Sequence, residues 1–232
     1  MTAGDDRAAR TNAGRGPMPT TAGAEGAMGA TTTLLLVRHG QSTWNAAGRW
    51  QGHADPPLSR LGEEQARQAG SRLASNGRVD AVVTSDLRRA HQTARLVAGA
   101  LGLDPVVDTR VRERDAGEWT GLTRDDIERD WPGYLADHRR PPGFEDDATL
   151  LARVLPALVD LAARHEHGRV LVVTHGGVVR TVERHLGTTG PPLANLGGRA
   201  VHVRRDASTV VVGEALLLAG GDDVTVTVPN QI

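Results

Sequence analysis

The chain has 232 residues, and its charges nearly cancel, with 27 Lys and Arg against 28 Asp and Glu. No overall field therefore favours nucleic acid or an anionic membrane surface, and any bound anion must be held locally. Cysteine is absent, which excludes disulfides, thiolate nucleophiles and zinc sites built on Cys. No apolar run approaches the roughly 18 residues of a membrane span, so we expect a cytoplasmic protein with no nucleic-acid or membrane partner.

Residues 1–32 differ in composition from the rest of the chain. Ala, Gly and Thr supply 20 of these residues, and Leu, Ile, Val and aromatic side chains are missing. Such a segment cannot bury enough apolar surface to offset the conformational entropy that ordering would cost. We therefore predict a disordered tail over residues 1–32 and one folded domain over residues 33–232.

From residue 33 onward the apolar pattern alternates between two periods. Short runs rich in branched residues predict strands buried on both faces, at 34–37, 79–83, 106–107 and 170–173. Three- and four-residue periodicity between them predicts helices that open at Ser59 and Thr123 and cover 87–101 and 151–161, the last kinked at Pro156. This alternation is typical of a three-layer α/β/α fold with a mainly parallel central sheet. The runs 201–203, 209–212 and 224–228 have no helices between them and predict sheet edges or hairpins.

Two of the predicted strands end in a His-Gly pair. LLLVRHG ends in His39 and Gly40, and LVVTHGG contains His175 and Gly176. Because the carboxyl ends of parallel strands meet at one edge of a sheet, we expect both imidazoles in the same crevice. Arg38 would offer a planar fork of donors to a phosphate or carboxylate there, and the glycines would let backbone amides approach the same anion.

A transition-metal site is the first competing interpretation, because two histidines and a carboxylate are familiar metal ligands. However, the permanent cation Arg38 lies beside His39 and works against a dication. No HExxH or similarly spaced ligand set occurs. No metal is therefore expected.

Two further groups stay open when only the residues are considered. Arg88 or Arg89 could face the crevice from the start of a helix, but without further support both are expected to be solvated surface cations. A proton donor is also needed, and Glu113, Asp115 and Glu118 all lie in one loop. Spacing alone does not choose among these three carboxyl groups.

Six motifs follow one another along the chain. They are Arg38-His39-Gly40 with Ser42 and Asn45; Gln51-Gly52; Leu58-Ser59 with Gly62 and Gln65-Ala66; Ser85-x-Leu87-x-Arg89-Ala90 with Thr93-Ala94; Glu113 with Gly117 and Trp119-x-Gly121; and His175-Gly176-Gly177. In this order they resemble the histidine phosphatase superfamily, in its phosphoglycerate mutase-like branch. The resemblance covers about residues 34–186.

The resemblance implies a phosphoglycerate mutase-like fold and a reaction that needs no metal and no cofactor. His39 would attack phosphorus to form a phosphohistidine, and Arg38 and Arg89 would hold the transferring oxygens. His175 would donate a hydrogen bond to the same group. Glu113 would protonate the leaving oxygen and later deprotonate the attacking water. The phosphate or substrate side would be lined by Gly40, Ser42, Asn45, Gln51, Gly52 and Gly176.

The activity within this family is a separate question. Glu113 and His175 are 62 residues apart, and this region looks short beside that of the glycolytic mutases. An open pocket favours a phosphomonoesterase that acts on a small phosphorylated metabolite; a phosphoglycerate mutase and a non-catalytic phosphate-binding domain are the alternatives. Where many family members read Pro-Gly-Gly-Glu-Ser, this chain has Phe144 before Glu145, and we expect Phe144 to pack on the core. The protein is expected to be a monomer or homodimer.

Overall fold

The computed structural model describes Met1 and residues 31–190, 192–204 and 210–218. Within them the elements are β1 (Thr31–Arg38), α1 (Thr43–Ala46), α2 (Arg60–Ser75), β2 (Ala81–Thr84), α3 (Arg88–Leu101), β3 (Pro105–Val107), α4 (Arg124–Asp130), α5 (Asp147–Arg164), β4 (Arg169–Thr174), α6 (Gly176–His185), β5 (Gly197–Arg204) and β6 (Val210–Leu217). Single 3-10 turns cover Thr109–Val111 and Gly117–Trp119.

The start of β1 corrects one predicted boundary. Thr31 and Thr32 belong to the sheet rather than to the tail, and Thr32 is buried against the carbonyl of Ala162. The remaining tail residues, 2–30, and the predicted strand 224–228 lie outside the described residues.

The six strands form one sheet in the order β3-β2-β4-β1-β5-β6. The first four are parallel, whereas β5 and β6 run antiparallel to their neighbours, which confirms the mainly parallel α/β prediction. Arg38 at the end of β1 pairs in register with Thr174 at the end of β4. The residues that follow, His39 and His175, therefore leave the sheet side by side.

Successive side chains of β1 enter two different cores, as strand geometry requires. Leu34 and Leu36 pack in a cluster with residues of α5 and α6, whereas Leu35 and Val37 pack in a cluster with residues of α2 and α3. All four side chains are fully buried, and each such burial stabilises the fold by roughly 1.5–3 kcal/mol. Helices thus cover both faces, and the end of β1 that carries His39 is rigidly held.

One edge strand, β3, is more exposed than predicted. Val106 and Val107 of β3 are 59% and 47% exposed, although they were expected to be buried on both faces. The reason is that β3 is an edge strand, which pairs among the described strands with β2 alone. β6 forms the opposite edge, as predicted, while β5 lies inside the sheet.

Local capping signals account for the helix ends. Ser59 accepts a hydrogen bond from the Gly62 amide at the start of α2, and Thr123 forms a capping box with Asp126 at the start of α4. Gly102 ends α3 in the left-handed conformation. α5 continues through Pro156 without ending.

Candidate active site

His39 follows β1 and is 2% exposed. Its Nδ1 lies 2.6 Å from the carbonyl oxygen of Gly40; since a carbonyl only accepts, Nδ1 carries the proton and Nε2 carries the lone pair. Arg89 Nε donates to that Nε2 over 3.2 Å. Burial, followed by the charges of Arg89 and Arg38, holds the pKa of His39 well below its usual value. The imidazole is therefore neutral and nucleophilic at Nε2.

Arg89 is fully buried, whereas its neighbour Arg88 is exposed. The expectation that both would be solvated surface cations is thus wrong for Arg89. Its Nη1 donates to the carbonyl of Ala54 at 2.8 Å and its Nη2 to the carbonyl of Gly52 at 2.9 Å. Burial lowers the pKa of Arg89 to about 10, so the guanidinium remains a cation at neutral pH in a fixed orientation.

Arg38 supplies a second buried cation beside His39. Its Nη1 donates to the carbonyl of Leu193 at 2.7 Å. Burial is also the main cause that lowers the pKa of Arg38 to about 10, while the carboxylate of Glu113 opposes the shift. Two cations and a neutral imidazole make this end of the sheet suited to a dianion.

His175 stands opposite His39, with ring centroids 5.2 Å apart. It is fully buried and precedes the first residue of α6. Its Nε2 lies 2.7 Å from the hydroxyl oxygen of Ser85, while its Nδ1 has no hydrogen-bond partner among the described residues. Burial, together with Arg89, holds the pKa of His175 well below its usual value. An unpartnered buried nitrogen at a helix N-terminus fits an oxygen of a bound anion.

The carboxyl group of Glu113 is the one that contacts this helix terminus. Its Oε2 accepts from the amide of Gly177 at 3.2 Å, and its Oε1 accepts from the amide of Arg114 at 2.8 Å. The other two candidates lie elsewhere: Asp115 accepts from the Gly117 amide, and Glu118 is exposed. The structure therefore brings Glu113 beside the His175 segment.

The predicted substrate-side residues Ser42, Asn45 and Gln51 hydrogen-bond to one another, and one of their donors is left without a partner among the described residues. Ser42 and Asn45 cap α1 reciprocally, and the Ser42 hydroxyl donates to Gln51 Oε1 at 2.7 Å. All three side chains are buried. Asn45 Nδ2 is a buried donor without a partner among the described residues, so it is the atom of this group left for a ligand.

The three glycines predicted on the substrate side, Gly40, Gly52 and Gly176, have different backbone contacts. Gly40 was expected to offer its amide to the anion, but that amide donates to the hydroxyl of Thr93 at 3.1 Å. Gly52 has φ +48° and turns its carbonyl to Arg89. Gly176 is the first residue of α6, where amides have no helical acceptor. Of these three glycines, Gly176 alone lies at a helix N-terminus.

Sequence reasoning missed several side chains that hold the site. Thr93 accepts from Gly40 and donates to the Arg89 carbonyl at 2.8 Å, and Asn195 Nδ2 donates to the His39 carbonyl at 3.0 Å. Ser85, like Thr93, belonged to a quoted motif but had no assigned role. Asn195 lies in a Pro- and Gly-rich stretch that carries no such signal.

A ligand set for a metal ion is not assembled in the described part of the chain, where no three His, Asp or Glu side chains converge suitably. No helix among the described residues is long and apolar enough to cross a membrane.

Residues 34–211 match the histidine phosphatase superfamily, branch 1. The chain belongs to this family. A metal-independent phosphoserine phosphatase of Arabidopsis thaliana is 36% identical over 75% of this chain and 77% of its own length. A 2,3-bisphosphoglycerate-dependent phosphoglycerate mutase of Methylorubrum populi (strain ATCC BAA-705 / NCIMB 13946 / BJ001) is 37% identical over 79% of this chain and 94% of its own length. The resemblance drawn from the six motifs is confirmed.

Solved structures of the histidine phosphatase fold agree with this assignment. A mycobacterial glucosyl-3-phosphoglycerate phosphatase in complex with VO3 superposes with a TM-score of 0.69 at 31% identity, over 78% of this chain and 96% of that one. The same phosphatase has a structure with inorganic phosphate, with a TM-score of 0.64 at 27% identity, over 81% of this chain and 97% of that one. The similar proteins thus include both phosphatases and a mutase.

Proposed function

We propose that this chain is a metal-independent phosphomonoesterase that hydrolyses small phosphorylated metabolites through a phosphohistidine at His39. The observation that carries the proposal is the state of this side chain: a neutral buried imidazole with its proton fixed on Nδ1 by Gly40. Its lone pair on Nε2 is in contact with the guanidinium of Arg89. A nucleophile beside fixed cations is what phosphoryl transfer without a metal requires.

The first step transfers the phosphoryl group to the enzyme. His39 Nε2 forms a bond to phosphorus while the bond from phosphorus to the ester oxygen breaks. Arg38 and Arg89 neutralise charge on the equatorial oxygens, and Asn45 Nδ2 and His175 Nδ1 donate hydrogen bonds to them. Glu113 gives its proton to the departing oxygen, which leaves as an alcohol.

The second step restores the enzyme. The carboxylate of Glu113 takes a proton from water, and the water oxygen forms a bond to phosphorus as the bond to His39 Nε2 breaks. Inorganic phosphate leaves, His39 is again neutral, and Glu113 is again protonated. Acid and base are the same group, so protons balance over the cycle.

Hydrolysis is favoured by the short segment between Glu113 and α5. In that segment the structure describes one 3-10 turn and the seven residues of α4, whose one apolar side chain, Ile127, joins a cluster with Trp50 and Trp119. Phe144 belongs to this cluster, in agreement with its expected core position. A site without a long insertion over it admits water. Phosphoglycerate mutase is the second candidate, favoured by the 37% identity with the Methylorubrum populi enzyme.

The covalent intermediate can be trapped directly. The protein is incubated with a labelled phosphomonoester and quenched in alkali, because phosphohistidine is labile in acid. We expect label on the unaltered protein and on His185→Ala, which changes an exposed histidine at the end of α6. His39→Ala is expected to carry none. Equal label on His39→Ala would refute the assignment of the nucleophile, and no label on any protein would favour a non-catalytic phosphate-binding domain.

Net phosphate release separates the two enzymatic candidates. A panel of phosphorylated metabolites is scored for inorganic phosphate, with Glu113→Gln as the variant that lacks the acid. We expect release that Glu113→Gln lowers by about 10²–10⁴-fold, the usual contribution of general acid-base catalysis. Interconversion of 2- and 3-phosphoglycerate without net release would instead establish a mutase.

A further inference from the structure

Glu145 and Arg153 form an ion pair behind the loop that carries Glu113. Arg153 Nε donates to Glu145 Oε1 at 2.8 Å, and Arg153 Nη2 donates to Glu145 Oε2 at 2.7 Å. The side chains are 11% and 23% exposed for Glu145 and Arg153, respectively. A bidentate pair largely shielded from water has one preferred geometry, so this pair is a rigid support.

The remaining donors of Arg153 all bind main chain. Nη1 donates to the carbonyls of Arg110 and Arg112, each at 2.8 Å, and Nη2 donates to the carbonyl of Glu113 at 2.9 Å. With the two bonds to Glu145, the five N–H groups of the guanidinium are fully used. Arg153 therefore fixes the backbone up to and including the proposed acid.

Glu145 holds the residues that follow the acid. Its amide donates to the Asp115 carbonyl at 3.0 Å, and its Oε2 accepts from the Asp115 amide at 3.3 Å. Its carbonyl also accepts from Arg114 Nη1 at 2.7 Å. Glu145 and Arg153 together, named here the Glu145–Arg153 clamp, thus hold residues 110–115 from both sides.

The carboxylate of Glu113 has few contacts of its own. It accepts from two backbone amides, those of Arg114 and Gly177, and from no side chain among the described residues. Its placement consequently depends on where the backbone of residues 110–115 lies. The clamp contacts that backbone and lies apart from Arg38, Arg89 and His39 in the hydrogen-bond network described above.

We propose that the Glu145–Arg153 clamp positions the general acid for protonation of the leaving oxygen. This inference rests on the proposed phosphatase function. Proton transfer requires the acid within about 2.6–3.2 Å of the oxygen it protonates. A loosened clamp would leave phosphoryl binding by the two arginines in place, but it would slow the departure of poor leaving groups and the later hydrolysis of the phosphohistidine, in which Glu113 is the base. Glu145 and Arg153 are thus positioning residues that act through Glu113.

Two substrates that differ in leaving group test this role. An alkyl ester, glycerol phosphate, needs its leaving oxygen protonated, whereas the nitrophenolate of p-nitrophenyl phosphate leaves without help. Arg153→Lys keeps the charge but loses the planar fork. We expect it to lower kcat/KM for glycerol phosphate by about 10- to 100-fold, because kcat/KM reports only the steps up to formation of the phosphohistidine. We expect kcat/KM for p-nitrophenyl phosphate to change by less than about threefold. Glu145→Gln should show the same pattern and carries the test if Arg153→Lys does not fold.

Combination with Glu113→Gln distinguishes positioning from a general loss of structure. If the clamp acts only through Glu113, Arg153→Lys should cause no further loss of kcat/KM for glycerol phosphate in the Glu113→Gln background. The matched control is Arg199→Lys, which disturbs a buried pair with Glu183 that does not contact residues 110–115. Any loss in that control should be equal for the two substrates.

The outcomes are separable. Equal losses of kcat/KM for both substrates in Arg153→Lys and Glu145→Gln, or a further loss of kcat/KM in the Glu113→Gln background, would overturn the positioning role while leaving the phosphatase function intact. An unaltered protein that releases phosphate from neither ester would overturn the proposed function itself, and the positioning role with it.

Discussion

Each of the two facing imidazoles is oriented by a different kind of partner. His39 bonds the carbonyl of the very next residue, Gly40, whereas His175 bonds a hydroxyl from the segment after β2, that of Ser85. When the Ser85 hydroxyl donates to His175 Nε2, Nδ1 must carry the proton in the neutral ring. That tautomer turns a donor towards the anion site.

Replacing Ser85 with Ala tests this orientation. The change removes the hydroxyl 2.7 Å from His175 Nε2, so His175 is no longer held as a donor at Nδ1. We expect kcat/KM for p-nitrophenyl phosphate to fall by about 3- to 10-fold, because one hydrogen bond contributes roughly 0.5–1.5 kcal/mol. Ser71→Ala, on the exposed face of α2, is the matched control. Unchanged kinetics in Ser85→Ala would show that the hydroxyl plays no such part.

The sequence predicts residues whose position follows from the end of a strand. It does not predict contacts with residues that lie far away along the chain. His39 and His175 lie together, as expected, because each lies at the end of a strong apolar run. Arg89 was assigned to the site through the resemblance, whereas its local pattern alone favoured a solvated surface cation. The contacts that bury it come from distant residues, the carbonyls of Gly52 and Ala54. Arg153 looks like any polar residue of a helix until its five hydrogen bonds are known.

The contact between α2 and the loop after His39 is an element-scale constraint. A Cβ added to Gly62 would lie 2.0 Å from the carbonyl oxygen of Gln41, and one added to Gly40 would lie 2.5 Å from the carbonyl of Gly62. Both contacts involve backbone, which cannot rotate away. Two glycines that face each other therefore let α2 approach the nucleophile's loop closely.

Two Gly→Ala changes separate the effect of this close contact on stability from the effect of helix propensity. Gly62→Ala forces the start of α2 away from the loop, and we expect a loss of unfolding free energy of about 1–3 kcal/mol together with lower activity. Gly99→Ala, in α3, meets nothing within 4 Å and should stabilise the protein by up to about 1 kcal/mol. Urea unfolding measures both. Equal stabilisation by the two changes would contradict the packing argument.

The order of strands and helices could be predicted from the sequence because the apolar period changes between the two. The exposure of β3 could not be predicted, because the position of a strand at an edge depends on how the whole sheet is assembled. The capping residues Ser59 and Thr123 could be predicted because a helix cap depends on only about four neighbouring residues.

The molecule as a whole keeps two neutral histidines inside it. His39 and His175 both have pKa values held well below the usual 6.5, and burial is the main cause for each. In the unfolded chain these groups titrate near about 6.5. Below that pH the unfolded state binds protons that the folded state does not, so stability falls as the solution is acidified.

We therefore expect the melting temperature to decline between about pH 6.5 and pH 5. Each histidine contributes up to about 1.4 kcal/mol per pH unit in that interval. The pKa values of Asp80, Asp86 and Asp108 are lowered from their ordinary value of 3.8. The stability that these carboxylates contribute is therefore lost at a lower pH than the interval considered for the histidines. His39→Gln should flatten the decline when unfolding is followed across this range. A slope that does not change in the variant would contradict the linkage.

The proposed nucleophile and the proposed acid are held by different sets of contacts. The ring of His39 contacts Gly40 and Arg89, whereas the backbone of Glu113 and Asp115 is held by Arg153 and Glu145, some thirty to forty residues further along. A copy of this chain that lost Glu145 or Arg153 would therefore still form the proposed phosphohistidine from esters with good leaving groups. It would release the phosphate slowly, because Glu113 is the proposed base for hydrolysis, and so it would retain phosphate on His39 rather than turn over.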